Sequence, residues 1–227
     1  MKILEIKDLH KVYDEKTVPV HAVNGVTIDF DEGEFAVIVG PSGSGKTTLL
    51  NIIGGLDKPT SGEIVIDHTQ LKELSSRKLT DFRMNHIGFV FQAYNLIPVL
   101  TAKENVEFIM HLQGVNKHER ERRTIELLKA VGLDDQIDKR PGKMSGGQQQ
   151  RVAVARALAS KPKFVLADEP TANLDSKSAT NLLEIMEQLN REENITFIFS
   201  THDQRVVNKA RRVITLEDGK VKSDVKS

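Results

Sequence analysis

Gly40-Pro41-Ser42-Gly43-Ser44-Gly45-Lys46-Thr47-Thr48 stands between an apolar, strand-forming run, Phe35 to Val39, and a helix-forming stretch that begins near Lys46. The spacing is that of the P-loop, G-x-x-x-x-G-K-[ST], and the flanking strand and helix are the context the pattern requires. Its three glycines let the backbone turn closely enough for successive amide N–H groups to face one point, a path that a Cβ would obstruct. Such a loop cradles phosphate oxygens. Lys46 supplies a positive charge suited to β- and γ-phosphates, Thr47 an oxygen for Mg²⁺, and the helix N-terminus a partial positive charge. The loop by itself implies a nucleoside triphosphate and leaves the chemistry open.

Upstream, Ile3 to Tyr13 and Val18 to Phe30 alternate and are rich in Val, Ile and Thr, which predicts an antiparallel β layer followed by a turn at Asp31-Glu32-Gly33. Tyr13, at the end of the first strand, is either a half-exposed strand aromatic or a flat apolar surface for a purine. Downstream, Gly54-Gly55 stops the helix, and Lys58-Pro59-Thr60-Ser61-Gly62 turns into a short strand from Glu63 to Ile66. A polar helix follows around Ser76 to Met84. Ile87-Gly88-Phe89-Val90-Phe91 is apolar throughout, as a buried parallel strand is, and delivers Gln92 to the edge where α/β sheets bind ligands. Gln92 either coordinates Mg²⁺ and orients a water or simply caps the strand.

From about Ala93 to Lys143 helices replace strands. Thr101-Ala102-Lys103-Glu104 is a capping box for a helix to about Gln113, and a charged helix from Asn116 stops near Gly132. The economical reading is a helical lobe inserted into an α/β core. Its leading loop, Tyr94 to Leu100, is unusually apolar and either packs on its own helices or receives a partner. Met144-Ser145-Gly146-Gly147-Gln148 then opens another helix, with Ser145 as N-cap and two glycines that permit close approach, a second phosphate-grade helix N-terminus. Two such sites have two solutions: the lobe folds back so that both serve one nucleotide, or two chains meet head to tail.

Phe164-Val165-Leu166-Ala167-Asp168-Glu169 is a buried strand whose apolar run forces two carboxylates to the mouth of the sheet. Asp168 is placed to hold Mg²⁺ through water, and Glu169 to polarise the attacking water as general base. Asn173-Leu174-Asp175-Ser176 is a loop that caps a helix. Ile195 to Ser200 is a final core strand, and His202 just beyond it shares the sheet edge with Lys46, Gln92 and Glu169, within reach of a γ-phosphate. Arg212 to Val221 reads as a hairpin turned by Asp218-Gly219.

At 227 residues and 39% apolar, the chain buries a substantial core in one or two lobes. Lys plus Arg and Asp plus Glu both number 32, a formal net charge of zero that argues against a nucleic-acid binder. Lys117 to Arg123 mixes bases and acids at helical spacing, a solvated helix face. Without cysteine there is neither a disulfide framework nor a thiolate metal site, compatible with a reducing cytosol. Met1 to Lys7 has no signal-peptide apolar region, and no run approaches the roughly 18 apolar residues of a membrane span, so a membrane role would come through a partner. A guanine-reading Asn-Lys-x-Asp is missing: Asn116-Lys117-His118-Glu119 ends in the wrong residue and lies in the helical lobe.

With the P-loop, Gln92, Ser145-Gly146-Gly147-Gln148, Asp168-Glu169, Asp175 and His202 in this order, the chain resembles an ABC-type ATPase over essentially its whole length. Ser145 to Gln148 is the most diagnostic segment. The family's signature usually opens with Leu where this chain has Met144, an apolar residue of similar volume. The resemblance implies one α/β domain over 1–227: a P-loop NTPase (RecA-like) core sheet with an N-terminal antiparallel β subdomain, in 1–92 and 144–227, and an inserted α-helical subdomain in 93–143. It implies ATP and Mg²⁺ as cofactors. Gly40, Pro41, Ser42, Gly43, Ser44, Gly45, Lys46, Thr47 and Thr48 then surround the phosphates, and Tyr13 stacks on adenine. Thr47, Gln92 and Asp168 serve the metal, and Lys46, Gln92, Glu169 and His202 the reaction.

The same resemblance answers the question of two sites, because in this family each ATP lies between one domain's P-loop and the other's signature. Ser145, Gly146, Gly147, Gln148 and Asp175 would thus act on the ATP of a second copy. The implied partners are that second copy and an integral membrane permease subunit, with no nucleic acid. The implied location is cytoplasmic, peripheral on the inner face of the membrane through the permease. Leu49 to Gly62 and Ile87 to Pro98 look like the prokaryotic branch serving lipoprotein release, macrolide-type and peptide export, and cell division. Export or extraction of a substrate by a separate membrane subunit is the expected output. The alternative is a regulatory ATP-gated clamp that signals to extracytoplasmic enzymes and moves no cargo. Repair relatives with long coiled-coil insertions and translation relatives with tandem domains fit less well.

Overall fold

The computed structural model describes residues 1–13 and 18–226. In chain order the first half contains β1 (Lys2–Tyr13), β2 (Val20–Asp31), β3 (Phe35–Val39), α1 (Lys46–Ile53), β4 (Ser61–Ile66), β5 (Thr69–Gln70), α2 (Ser76–His86), β6 (Ile87–Val90) and α3 (Ala102–Leu112). The second half contains α4 (Lys117–Ala130), α5 (Gly146–Ala159), β7 (Phe164–Asp168), α6 (Ser176–Glu193), β8 (Thr196–Ser200), α7 (Gln204–Lys209), β9 (Arg212–Glu217) and β10 (Lys220–Lys226). No helix among the described residues is long and apolar enough to cross a membrane.

Two sheets result. One is antiparallel in the order β2-β1-β4-β5; the other runs β10-β9-β3-β8-β7-β6, with parallel pairings from β9 to β6 and β10 antiparallel at its edge. The parallel strands are apolar at successive positions because both faces are covered. Period-2 geometry then divides each strand between two cores. Ala36, Ile38, Phe164, Leu166 and Ile198 meet α1 and the antiparallel sheet. Phe35, Val37, Val165, Ala167, Phe197 and Phe199 meet the helical layer.

Polar caps fix where the helices begin. Ser75, Thr101, Asn116, Ser145 and Asp175 each accept a backbone N–H in the first turn, and Thr101 and Ser145 form full capping boxes with Glu104 and Gln148. The helices of 93–143 make no core of their own. Val106, Met110, Leu127 and Leu128 join the same apolar cluster as Phe35 and Val165 of the sheet, and α5 is the helix on which α3 and α4 pack.

Differences from the expected elements are local. Phe91 falls outside β6, stacking on Phe89 at 5.6 Å between ring centres. Val18 precedes β2 instead of opening it. β10 runs on to Lys226, well past Val221, because its exposed, charged residues carry no apolar alternation and are held by backbone pairing with β9 and by side-chain bonds such as that of Asp224 with Arg212.

Candidate active site

A cleft of about 760 Å³ opens at the C-terminal edge of the parallel strands. Its walls bring together Tyr13, every P-loop residue from Gly40 to Thr48 except Ser44, and Gln92, Glu169 and His202. Ser44 is buried instead, and its amide donates to the Pro41 carbonyl at 3.2 Å. Gly45 holds φ +96°, and a Cβ there would collide with the Ala22 carbonyl oxygen. Gly43, at φ +79°, faces open space: a Cβ there would meet nothing within 4 Å. The amides of Lys46, Thr47 and Thr48 lie in the first turn of α1, with no carbonyl one turn earlier to accept them. An anion is their natural acceptor.

Lys46 Nζ donates to the carbonyls of Gly40 at 2.9 Å and Pro41 at 3.0 Å. The ammonium is thus held against the loop by two of the loop's own carbonyls. Thr47 Oγ1 donates to Asp168 Oδ1 at 3.1 Å, which sets a hydroxyl and a carboxylate side by side at the cleft's edge. Burial pushes the Asp168 carboxyl above the ordinary aspartate range, the Thr47 hydrogen bond opposing and the neighbouring Glu169 charge adding to it. A partly buried carboxylate beside a hydroxyl oxygen suits a hard cation such as Mg²⁺. No cluster of three His, Cys, Asp or Glu fit for a metal occurs among the described residues, so these few oxygens suit an ion that keeps waters and phosphate ligands.

Glu169 sits at φ +45°, a strained setting for a non-glycine residue, and its amide donates to the Ser200 carbonyl at 2.8 Å. Its carboxylate is engaged at both oxygens: Thr201 Oγ1 donates to Oε2 at 2.8 Å, and His202 Nδ1 lies 2.8 Å from Oε1. His202 itself is largely exposed. The loop beyond β8 is tied down by Asp203, which accepts from Thr171 Oγ1 at 2.7 Å and from Arg205 Nη2 at 2.7 Å. The Arg205 hydrogen bonds in particular lower Asp203 to about 2.

Gln92 is held by its backbone, since its carbonyl accepts from Asn173 Nδ2 at 3.0 Å, leaving the amide side chain in the cleft wall. Beyond Ala93, Tyr94 and Asn95 are both left-handed, at φ +55° and +50°. Arg156 of α5 clamps this turn by donating to the carbonyls of Tyr94 (2.9 Å) and Asn95.

Ser145, Gly146, Gly147, Gln148 and Asp175 form a second group that does not line the cleft. Ser145 Oγ accepts from the Gln148 amide at 3.2 Å and Gln148 Oε1 from the Ser145 amide at 2.9 Å, so the side-chain oxygen of Gln148 is spent on the capping box. The first-turn amides of Gly146 and Gly147 remain without a helical acceptor. Asp175 accepts from the Ser178 amide at 3.0 Å and hydroxyl at 2.6 Å, which lowers its pKa.

The sequence pattern gives no site role to Thr201, Asn173, Thr171 or Arg156. The hydroxyl of Thr201 immediately before His202 is the one local signal among them; the rest act across the fold.

A family model described as ABC transporter matches residues 23–172. The chain is 48% identical over 220 residues to an uncharacterised ABC transporter ATP-binding protein of Thermotoga maritima, covering 97% of this chain and 94% of that one. It is 46% identical over 224 residues to the macrolide export ATP-binding/permease protein MacB of Mannheimia succiniciproducens, covering 99% of this chain but 35% of that protein. Among solved structures it resembles the dimeric post-hydrolysis state of the ATP-binding cassette MJ0796 bound to ADP and Pi, MJ0796 being a protein of Methanocaldococcus jannaschii. That similarity has a TM-score of 0.90 at 44% identity, covering 99% of this chain and 98% of the other.

Proposed function

Since this chain belongs to the ABC transporter family, as an ATP-binding and ATP-hydrolysing cassette, we propose that two copies close head to tail around ATP and drive a separate membrane subunit that exports or extracts a substrate. The separation of two anion-ready groups carries the reading: the P-loop faces the cleft, while the Ser145-Gly146-Gly147 helix start does not line it. A second copy supplies what one chain lacks. The dimeric MJ0796 cassette with ADP and Pi supports this arrangement, and similarity to the MacB export protein supports an export role.

In this reading Tyr13 stacks on the adenine, and Gly40 to Thr48 wrap the phosphates, with Lys46 between β and γ. Thr47, Gln92 and Asp168 hold Mg²⁺, which when bound neutralises charge on the phosphate oxygens. Glu169 takes the proton of the attacking water. His202 leaves its contact with Glu169 Oε1 for the γ-phosphate, freeing that oxygen to act as base. Ser145, the amides of Gly146 and Gly147, the neighbouring Gln148 and the Asp175 loop meet the other copy's ATP. Hydrolysis removes the charge that favours closure, and the pair opens.

The membrane subunit docks at the Tyr94 to Leu100 loop and the helical segment 93–143. A groove of about 250 Å³ there is lined by Phe89, Phe91, Phe108 and Ile109, and Val99 and Leu112 stand exposed nearby in sequence. The cassette then works on the cytoplasmic face of the membrane, held by its partner.

Light scattering on Glu169→Gln with and without Mg-ATP tests the reading. The expected result is a shift from monomer to dimer with ATP, and a turnover lower by roughly 10²- to 10⁴-fold, the usual share of a general base. Near-normal turnover would remove Glu169 from its role. A mass that ignores ATP despite measured binding would overturn closure by the isolated cassette.

A further inference from the structure

Tyr13 ends β1 and lines the cleft, and two contacts fix its ring. Its hydroxyl donates to Asp57 Oδ2 at 2.9 Å. Lys11 Nζ lies 4.8 Å from the ring centroid, over one face, and donates to Asp57 Oδ1 at 2.8 Å. The same ammonium reaches the Lys58 carbonyl at 2.8 Å, and Asp57 Oδ1 also accepts the Lys58 amide at 2.7 Å. Although burial pushes the Asp57 carboxyl up, the hydrogen bonds from Lys11, Tyr13 and Lys58 outweigh it and hold the group below the ordinary aspartate range.

Asp57 does not line the cleft. Its backbone instead belongs to the turn closing α1, where its amide donates to the Asn51 carbonyl at 3.2 Å. The N-terminus of that helix is the phosphate cradle. One short helix therefore carries the cradle at its start and, through Asp57, the anchor of the aromatic ring just past its end. With Lys11 on one face, a base can stack only on the other, and with the hydroxyl already donated to Asp57, Tyr13 offers the base a surface and no hydrogen bond.

We propose that Asp57, with Lys11, is a positioning residue that holds Tyr13 at a set distance from the P-loop and so tunes affinity for the purine part of the nucleotide without touching it. The inference rests on the reading of Tyr13 as the purine platform.

Calorimetric titration with Mg-ATP and with Mg-tripolyphosphate, which has the phosphates and no base, tests it. Tyr13→Phe and Asp57→Ala are each expected to weaken ATP binding by about 2- to 10-fold, the ordinary worth of one hydrogen bond. Tripolyphosphate binding stays as in the wild type, and the double variant is no worse than the weaker single one, since both remove the same link. Asp57→Ala raises KM for ATP and keeps kcat at saturation. Tyr13→Phe leaves the Asp57 backbone network intact and serves if Asp57→Ala fails to fold. If Tyr13→Ala binds ATP normally, the platform reading itself falls. Should Tyr13→Ala weaken binding while Tyr13→Phe and Asp57→Ala do not, the platform stands and the positioning role is overturned. Equal loss of ATP and tripolyphosphate in Asp57→Ala, or additive effects in the double variant, would also overturn it, because Asp57 would then act through the cradle.

Discussion

At Asp168, burial raises the carboxyl against the pull of the Thr47 hydrogen bond and the Lys46 charge. An acid whose folded pKa is raised stabilises the fold in its neutral form, so its contribution appears as pH falls through that pKa and is lost as pH rises. Asp168→Asn is therefore expected to raise the melting temperature of the nucleotide-free protein at pH 7 while sharply lowering Mg-dependent hydrolysis. A lower melting temperature in that variant would mean the carboxylate is needed by the fold, not tolerated for function. Asp203 has the opposite sign: lowered to about 2, its contribution is full above the ordinary aspartate range and fades as pH falls toward that value. Residues of the first kind, at strand ends or in a glycine loop, were legible because an apolar run or a tight turn dictates where they emerge. Thr171 and Asn173 were not, since what matters about them is a partner, Asp203 or Gln92, that no local spacing marks.

The helix that starts at Ser145 carries two demands at its first turn, its own cap and the free amides beside it. Ser145→Ala removes the cap and is expected to lower the unfolding free energy of the nucleotide-free monomer by about 1 kcal/mol, the usual cost of a lost N-cap. Denaturant unfolding measures that part. The remainder of the effect shows only in ATP-driven dimerisation, so a variant that unfolds as expected yet dimerises like wild type would confine Ser145 to capping. Most helices and the buried strands could be read because caps and apolar runs are local statements. β5 and α7 are too short to set up a period, and β10 is exposed beyond Val221, so their pairing and packing decide them.

Across the molecule, Arg212 on β9 joins the two sheets. With a side chain only 4% exposed, it donates from Nη1 to the Asp29 carbonyl on β2 at 2.6 Å and to Glu34 at 2.8 Å. From Nε and Nη2 it reaches Asp224 on β10 at 2.8 and 2.6 Å. Removing Arg212 leaves Asp224, itself part-exposed, without that guanidinium and Glu34 with Lys226 alone, so Arg212→Ala is expected to cost about 3 kcal/mol of unfolding free energy, the low end for a buried pair. Arg212→Lys keeps the charge without the fork and should fall between. Equilibrium denaturation checks both, and a loss under about 1 kcal/mol for Arg212→Ala, the range of exposed pairs, would show that the sheets are held by their apolar contacts alone. The division of the central strands between two cores has a consequence during assembly. A strand docked one residue out of step would turn Phe35, Phe197 or Phe199 toward the side fitted to Ala36 and Ile198, and leave the smaller side chains facing the helices. A sheet misthreaded in that way would be crowded on one side and hollow on the other, so the unequal cores themselves favour the native register.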